Sequence, residues 1–159
     1  MTVGTAWRRA LLLGVGVVAL DQVAKAIVRG SLAPGERVDL VLGFHLTRIT
    51  NKGLAFGTLG GGGPLVLVVT IAALTLVLAW FARDPTRPWL WLGAGLLAGG
   101  AVGNLIDRVR LDAVTDFLDP PLWPAFNLAD IAITVGAVVL ILVSLEGGGA
   151  DDRAAHRPP

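Results

Sequence analysis

Asp116 and Asp130 stand 14 residues apart at the ends of otherwise apolar segments, in Val114-Thr115-Asp116-Phe117 and Phe126-Asn127-Leu128-Ala129-Asp130. Holding a carboxylate in or beside a bilayer costs roughly 2.5–3.5 kcal/mol even on the gentlest scale. This chain does so twice, beside Asn127 and Arg108. Two carboxylates a few ångströms apart cannot both ionise cheaply, so one keeps a proton and the pair titrates as a dyad. Such a dyad activates water for amide hydrolysis. The ionised member takes a proton from water, and the protonated member polarises the scissile carbonyl and helps protonate the leaving amine. Asn104 and Asn127 could hold the two carboxylates in register.

Composition sets the environment. The chain has 159 residues, 54% of them hydrophobic, and a mean hydropathy of +0.72, which is membrane composition and enough for one compact membrane domain. A net charge of +1 argues against a nucleic-acid partner. Cysteine is absent and only His45 and His156 exist, so thiol catalysis, disulfides and histidine or cysteine metal clusters are excluded. No metal and no cofactor are expected.

The expected fold class is mainly α, an integral membrane domain over 1–146 with four transmembrane helices at about 10–28, 64–82, 89–106 and 127–145. Arg8 and Arg9 before an apolar run look like a signal peptide. No clean small-x-small cleavage site follows, however, and the run continues to Val28, so it reads as a retained first span. The connector 29–63 carries β-branched residues in partial alternation over Val38–Ile49, which predicts a short strand pair between helices 1 and 2. The connector 107–126 contains Pro120-Pro121 and is not one helix. The short Arg83–Pro88 link makes spans two and three antiparallel neighbours, and 147–159 reads as a disordered tail.

Lys and Arg are tied at six on each side of the spans. Arg8 and Arg9, flanking the first helix, break the tie and place both termini and the tail in the cytoplasm. Whatever the orientation, alternating spans bring one set of polar residues to one membrane face: Asp21 and Lys25 late in span one, Asn51 in the first connector, Asn104, Asp107 and Arg108 ending span three, Asp116 in the second connector, and Asn127 and Asp130 opening span four. Asp21 lies about 18 Å along the helix from Arg9, at 1.5 Å per residue.

Plainer readings stand beside each of these. Asp21 and Lys25, spaced i, i+4, are either a self-neutralising pair or a polar post behind a site. Asp130 could cap span four, Asp116 could be a solvated loop acid, Arg108 an interfacial anchor and Asn51 a turn residue. Gly95, Gly99 and Gly103 are spaced as a packing seam.

Five segments in order resemble the lipoprotein signal peptidase (signal peptidase II) family of membrane aspartyl peptidases. They are Asp21-Gln22-Val23-Ala24-Lys25, Asn51-Lys52-Gly53-Leu54-Ala55-Phe56-Gly57, the run Gly99 to Arg108, Val114-Thr115-Asp116-Phe117, and Phe126-Asn127-Leu128-Ala129-Asp130. The resemblance implies four transmembrane helices, a small extracytoplasmic β-sheet element between helices 1 and 2, and an active site at the outer face of a bacterial cytoplasmic (inner) membrane. It implies Asp116 and Asp130 as catalytic residues, with Asp21, Lys25, Asn51, Gly53, Asn104, Asp107, Arg108, Asn127 and Ala129 lining or supporting the site. The implied partners are a diacylglyceryl-modified prolipoprotein, cut just before its lipidated cysteine, and membrane lipid, with the enzyme a monomer. The rival classes are a polar-site or proton-coupled transporter, which needs a polar trail across the bilayer, and a non-catalytic assembly subunit built on glycine seams.

Overall fold

The structure, a computed structural model, describes residues 1–53 and 63–155. The stretch Leu54-Ala55-Phe56-Gly57 of the second motif, the glycines up to Gly62 and the tail from His156 lie outside the described residues. The elements run α1 (Val3–Ser31), β1 (Arg37–Asp39), β2 (His45–Asn51), α2 (Gly63–Arg83), α3 (Leu90–Leu111), β3 (Val114–Asp119) and α4 (Leu128–Ala155). All four helices contain a stretch long and apolar enough to cross a membrane. The strands form one antiparallel sheet in the order β1-β2-β3.

The helices are longer than hydropathy alone suggests, and side chains account for each extension. α1 begins at Val3 because Thr2 caps it, its side chain accepting from the Thr5 N–H. That first turn is pinned: Trp7 packs edge-to-face on Phe81 at 4.7 Å, and the Arg9 guanidinium lies 5.6 Å over the Trp91 ring. α3 continues through Asp107 and Arg108 to Leu111 because Asp107 is ion-paired from α1 and does not have to leave the protein. It then stops at Asp112, whose backbone is left-handed. The segment Gly147–Ala155, expected to be disordered, continues α4 as helix. No proline interrupts it before Pro158, and adding turns to an existing helix costs little compared with starting one.

The second connector supplies a strand that was not foreseen. β3 pairs with β2, placing Asp116 opposite Ile49 and Val114 opposite Asn51, with an irregularity between Leu46 and Ile49. Val114, Thr115, Asp116 and Phe117 are all buried, so this strand shows no alternation of apolar and polar residues for a sequence reading to detect.

α3 is the centre of the bundle. Of its span 56% is buried, against 6% for α2, whose outer surface is left to lipid. Glycines make this centrality possible. A Cβ at Gly95 would lie 2.8 Å from the carbonyl oxygen of Ala10, and one at Gly99 2.8 Å from that of Gly14, so α1 packs directly on the α3 backbone. On the other face Gly100 meets the Ala129 carbonyl, and Gly136 of α4 meets the Leu97 N–H. One apolar cluster, including Ala6, Phe81, Leu90, Ala94, Leu140 and Val143, closes one end of the bundle. At the other end Val28, Leu32 and Phe117 join the sheet to the helix ends. The buried polar residues lie near this second end.

Candidate active site

Four elements deliver buried polar side chains to one place: α1 gives Asp21 and Lys25, α3 gives Asn104 and Asp107, β3 gives Thr115 and Asp116, and the entry to α4 gives Asn127. Among the described residues no buried side-chain nitrogen or oxygen lacks a hydrogen-bond partner, as a low-dielectric site requires.

The entry to α4 fixes the first carboxylate. The Asn127 side chain accepts from the Asp130 N–H at 3.0 Å, while Asp130 Oδ2 accepts from the Asn127 N–H at 3.1 Å. This reciprocal pair is a capping box built from Asn and Asp. Asp130 therefore does cap α4, but only with one oxygen. Its other oxygen, Oδ1, accepts from Asn104 Nδ2 at 2.8 Å.

β3 fixes the second. Asp116 Oδ1 accepts from Asn127 Nδ2 at 2.7 Å and Oδ2 from Asn51 Nδ2 at 2.9 Å. Asn51 is oriented by a turn in which its Oδ1 accepts from the Gly53 N–H at 2.8 Å. Gly53 has φ +75, a conformation that suits glycine. Asn51 is thus a turn residue and an aspartate partner at once. Burial pushes the Asp116 carboxyl up to about 6; the Asn51 and Asn127 amides and Lys25 pull it down, and the Asp130 charge pushes it up further.

Behind this pair lies a charged support. Lys25 Nζ is 2.8 Å from Asp21 Oδ2, 3.5 Å from Asp107 Oδ2 and 2.9 Å from Asn104 Oδ1. Asn104 also accepts from Asn127 at 3.1 Å. The Asp21–Lys25 pair is therefore not self-contained: the ammonium holds the amide that holds Asp130. Asp21 Oδ1 accepts from the Ala129 N–H at 3.0 Å, tying α1 to the first turn of α4. Ala129 is fully buried, and a Cβ on Gly103 would come within 2.8 Å of Asp21 Oδ2. Asp107 Oδ2 accepts from the Thr115 N–H at 3.0 Å, which anchors β3 one residue before Asp116.

Ten of the eleven site residues read from the sequence meet in this network. Arg108 does not. It is half-buried in the last turn of α3, and among the described residues its side chain makes no hydrogen bond or ion pair. Two members were missed. Gln22 Nε2 lies 3.0 Å from the Gly103 carbonyl oxygen and 3.2 Å from both Asp21 Oδ2 and Asp107 Oδ1. Arg29 donates to Thr115 Oγ1 at 3.0 Å and lies 3.6 Å from Asp107 Oδ1. The signal was present for Arg29, since Asp21, Lys25 and Arg29 follow each other at four-residue steps on one helix face. Among the described residues no group of three or more His, Cys, Asp or Glu side chains is placed to hold a metal ion.

Known proteins resemble this chain over most of its length. The family model described as Signal peptidase (SPase) II matches residues 13–146. A lipoprotein signal peptidase of Moorella thermoacetica is 41% identical over 145 residues, covering 90% of this chain and 97% of that protein. One from Pelotomaculum thermopropionicum is 46% identical over 126 residues, covering 78% and 83%. A bacterial membrane enzyme solved by the in meso method at 1.9 Å resolution superposes with a TM-score of 0.79 at 31% identity, covering 86% of this chain and 92% of the other. The match over residues 13–146, together with relatives 41% and 46% identical, places this chain in the signal peptidase II family.

Proposed function

We propose that this protein is an aspartyl endopeptidase that removes the signal peptide from diacylglyceryl-modified prolipoproteins, cutting just before the lipidated cysteine, with Asp116 and Asp130 as its catalytic pair. The observation that carries the reading is Asn127. Its side-chain amide donates to Asp116 and its backbone N–H to Asp130, so a single residue holds both carboxylates.

The two acids have different surroundings, and this suggests a division of labour. Asp130 sits in the first turn of α4, where the helix dipole and the Asn127 N–H favour a negative charge. It is the base that takes a proton from the attacking water. Asp116, buried and raised to about 6, is the acid that donates a hydrogen bond to the scissile carbonyl. Water adds to the carbonyl carbon as the Asp116 proton passes to the carbonyl oxygen, giving a tetrahedral diol. The proton held by Asp130 then passes to the leaving nitrogen as the carbon–nitrogen bond breaks, and Asp116 recovers its own proton.

Arg108, half-buried in the last turn of α3, is proposed to hold substrate carbonyls through its guanidinium. A substrate already anchored by its acyl chains meets the site in two dimensions, which lowers the entropy cost of the encounter. Both termini are proposed to be cytoplasmic, the site to lie at the outer face, and the enzyme to act as a monomer. A transport role is disfavoured because, among the described residues, the buried polar groups gather near one end of the bundle while an apolar cluster closes the other.

The test uses purified protein with diacylglyceryl-modified and unmodified precursor, products being followed by gel shift. Asp116→Asn and Asp130→Asn should each abolish cleavage while expression and insertion persist. Activity retained in either variant removes the dyad. Equal cleavage of the unmodified precursor removes the substrate assignment.

A further inference from the structure

The β1–β2 turn carries a residue that its backbone disfavours. Phe44 N–H donates to the Val41 carbonyl at 3.1 Å, closing a tight turn with Leu42 at φ +57 and Gly43 at φ +77. Positive φ at both central positions defines a turn that selects Asn-Gly or Asp-Gly, because a left-handed backbone brings Cβ too close to its own carbonyl. Here the first of these positions is leucine, and its side chain is 90% exposed. A side chain so exposed has little packing to offset the strain.

Leu42 is not alone. Gly43 approaches the side chain of Pro121, so the 120–124 loop lies against the turn. That loop presents Leu122, 95% exposed, and Trp123, 71% exposed. With Val41 they form one apolar knuckle from two separate connectors.

Its height above the bundle follows from the packing below it. Leu46 packs against the Val28–Leu32–Phe117 cluster at the ends of the helices. Gly43 is three residues from Leu46, about 10 Å of extended chain. The knuckle therefore stays within reach of the headgroup layer of a bilayer spanned by the four helices. Large apolar side chains with a tryptophan among them suit that layer, where an amphipathic ring is stabilised at the interface. We propose that the Val41–Leu42 turn and the Leu122–Trp123 loop together insert into the interfacial region of the lipid leaflet, laying the sheet that carries Asp116 and Asn51 down on the membrane surface. The occupant is lipid, continuous with the lipid that covers the exposed face of the helices.

The natural chain contains no cysteine, so single labels are simple to place. Leu42→Cys and Leu122→Cys would each carry an environment-sensitive fluorophore, with Asp39→Cys on the same sheet as control, its side chain being 88% exposed and acidic. The full-length protein is reconstituted in vesicles of phosphatidylethanolamine and phosphatidylglycerol, in which a fraction of lipid bears a nitroxide on the shallow part of the acyl chain. Labels at positions 42 and 122 should emit blue-shifted and be quenched several-fold more strongly than the label at 39. Aqueous emission and weak quenching at all three positions would overturn the proposal. So would blue-shifted emission without quenching, which would mean a protein cover in place of lipid. A further variant combines Leu42→Asn with the label at 122, so that the turn itself carries no fluorophore. It gives the turn the residue its backbone prefers, so the melting temperature in detergent should hold or rise, while quenching of the label at 122 in vesicles falls several-fold. Undiminished quenching in that variant also overturns the proposal. None of these readouts depends on the peptidase reading.

Discussion

The polar network of this protein holds two kinds of aspartate. Asp21 and Asp107 face cations: Lys25 touches both, and Arg29 approaches Asp107. Asp116 and Asp130 are instead held by the neutral amides of Asn51, Asn104 and Asn127. All four lie within one connected network, and the difference is in the partner. A carboxylate opposite an ammonium has its charge neutralised where it stands, and losing either partner strands a buried charge. A carboxylate held by amides is kept in position while its proton remains exchangeable, as a general acid or base requires. On the proposed reading, residue type alone assigns no role, and the charge of the nearest donor separates the two kinds.

The sharpest way to break this comparison is to neutralise each kind in turn. Asp116→Asn or Asp130→Asn should lower turnover by at least about 10²–10⁴-fold, the usual contribution of a positioned acid or base, with no loss of thermal midpoint. If instead either variant loses stability and keeps its rate, the two classes have been assigned the wrong way round.

Lys25→Met should do the reverse in kind. It leaves Asp21 and Asp107 without their shared ammonium, which should cost about 3–5 kcal/mol of stability, typical of breaking a buried ion pair. The melting temperature should fall together with the activity. The double variant Lys25→Met, Asp21→Asn should recover part of the melting temperature. A single variant as stable as the parent would show that the charged support is dispensable.

How far such roles can be read from sequence depends on where the determining contact lies. The four spans were legible because hydropathy is a property of consecutive residues, and the glycine seams because their spacing repeats along one helix. The convergence of Asp21, Asn104, Asp116 and Asp130 followed from alternating span directions alone. The start of α1 at Val3 was legible only in part: Thr2 is a local cap, but the first turns also rest on Trp7 meeting Phe81 and Arg9 meeting Trp91, residues more than 70 positions away. β3 was hidden because both its faces are buried. The division between the two kinds of aspartate was hidden too. Lys25 lies four residues from Asp21, but it reaches Asp107 and Asn104 only through tertiary packing.

A third prediction uses pH to separate the classes. The Asp116 carboxyl ionises at about 6 in the fold and near 3.9 in an unfolded chain. Between these values the unfolded chain binds fewer protons than the folded one, so stability falls as pH rises through the window. The total loss is about 3 kcal/mol, levelling off above pH 6. Thermal melts in detergent should show this slope in the parent and lose it in Asp116→Asn. A slope that survives the substitution would have to come from another group and would remove the argument that Asp116 carries the retained proton.

The smallest effect tests the amide side most directly. Asn51 donates to Asp116 Oδ2 and so favours the ionised carboxylate, opposing burial. A hydrogen bond to a charged group contributes about 1.5–3 kcal/mol, and one pKa unit corresponds to about 1.4 kcal/mol. Asn51→Ala should therefore move the Asp116 titration upward by about one unit. If Asp116 must be protonated to polarise the scissile carbonyl, kcat/KM of the parent falls above about pH 6, and in the variant that limb should shift toward pH 7. A limb that stays in place would mean that another group controls it. A rate that instead rises with pH through about 6, with that limb moving up in the variant, would make Asp116 the base and Asp130 the acid, because the ionised Asp116 that Asn51 favours would then be the working form.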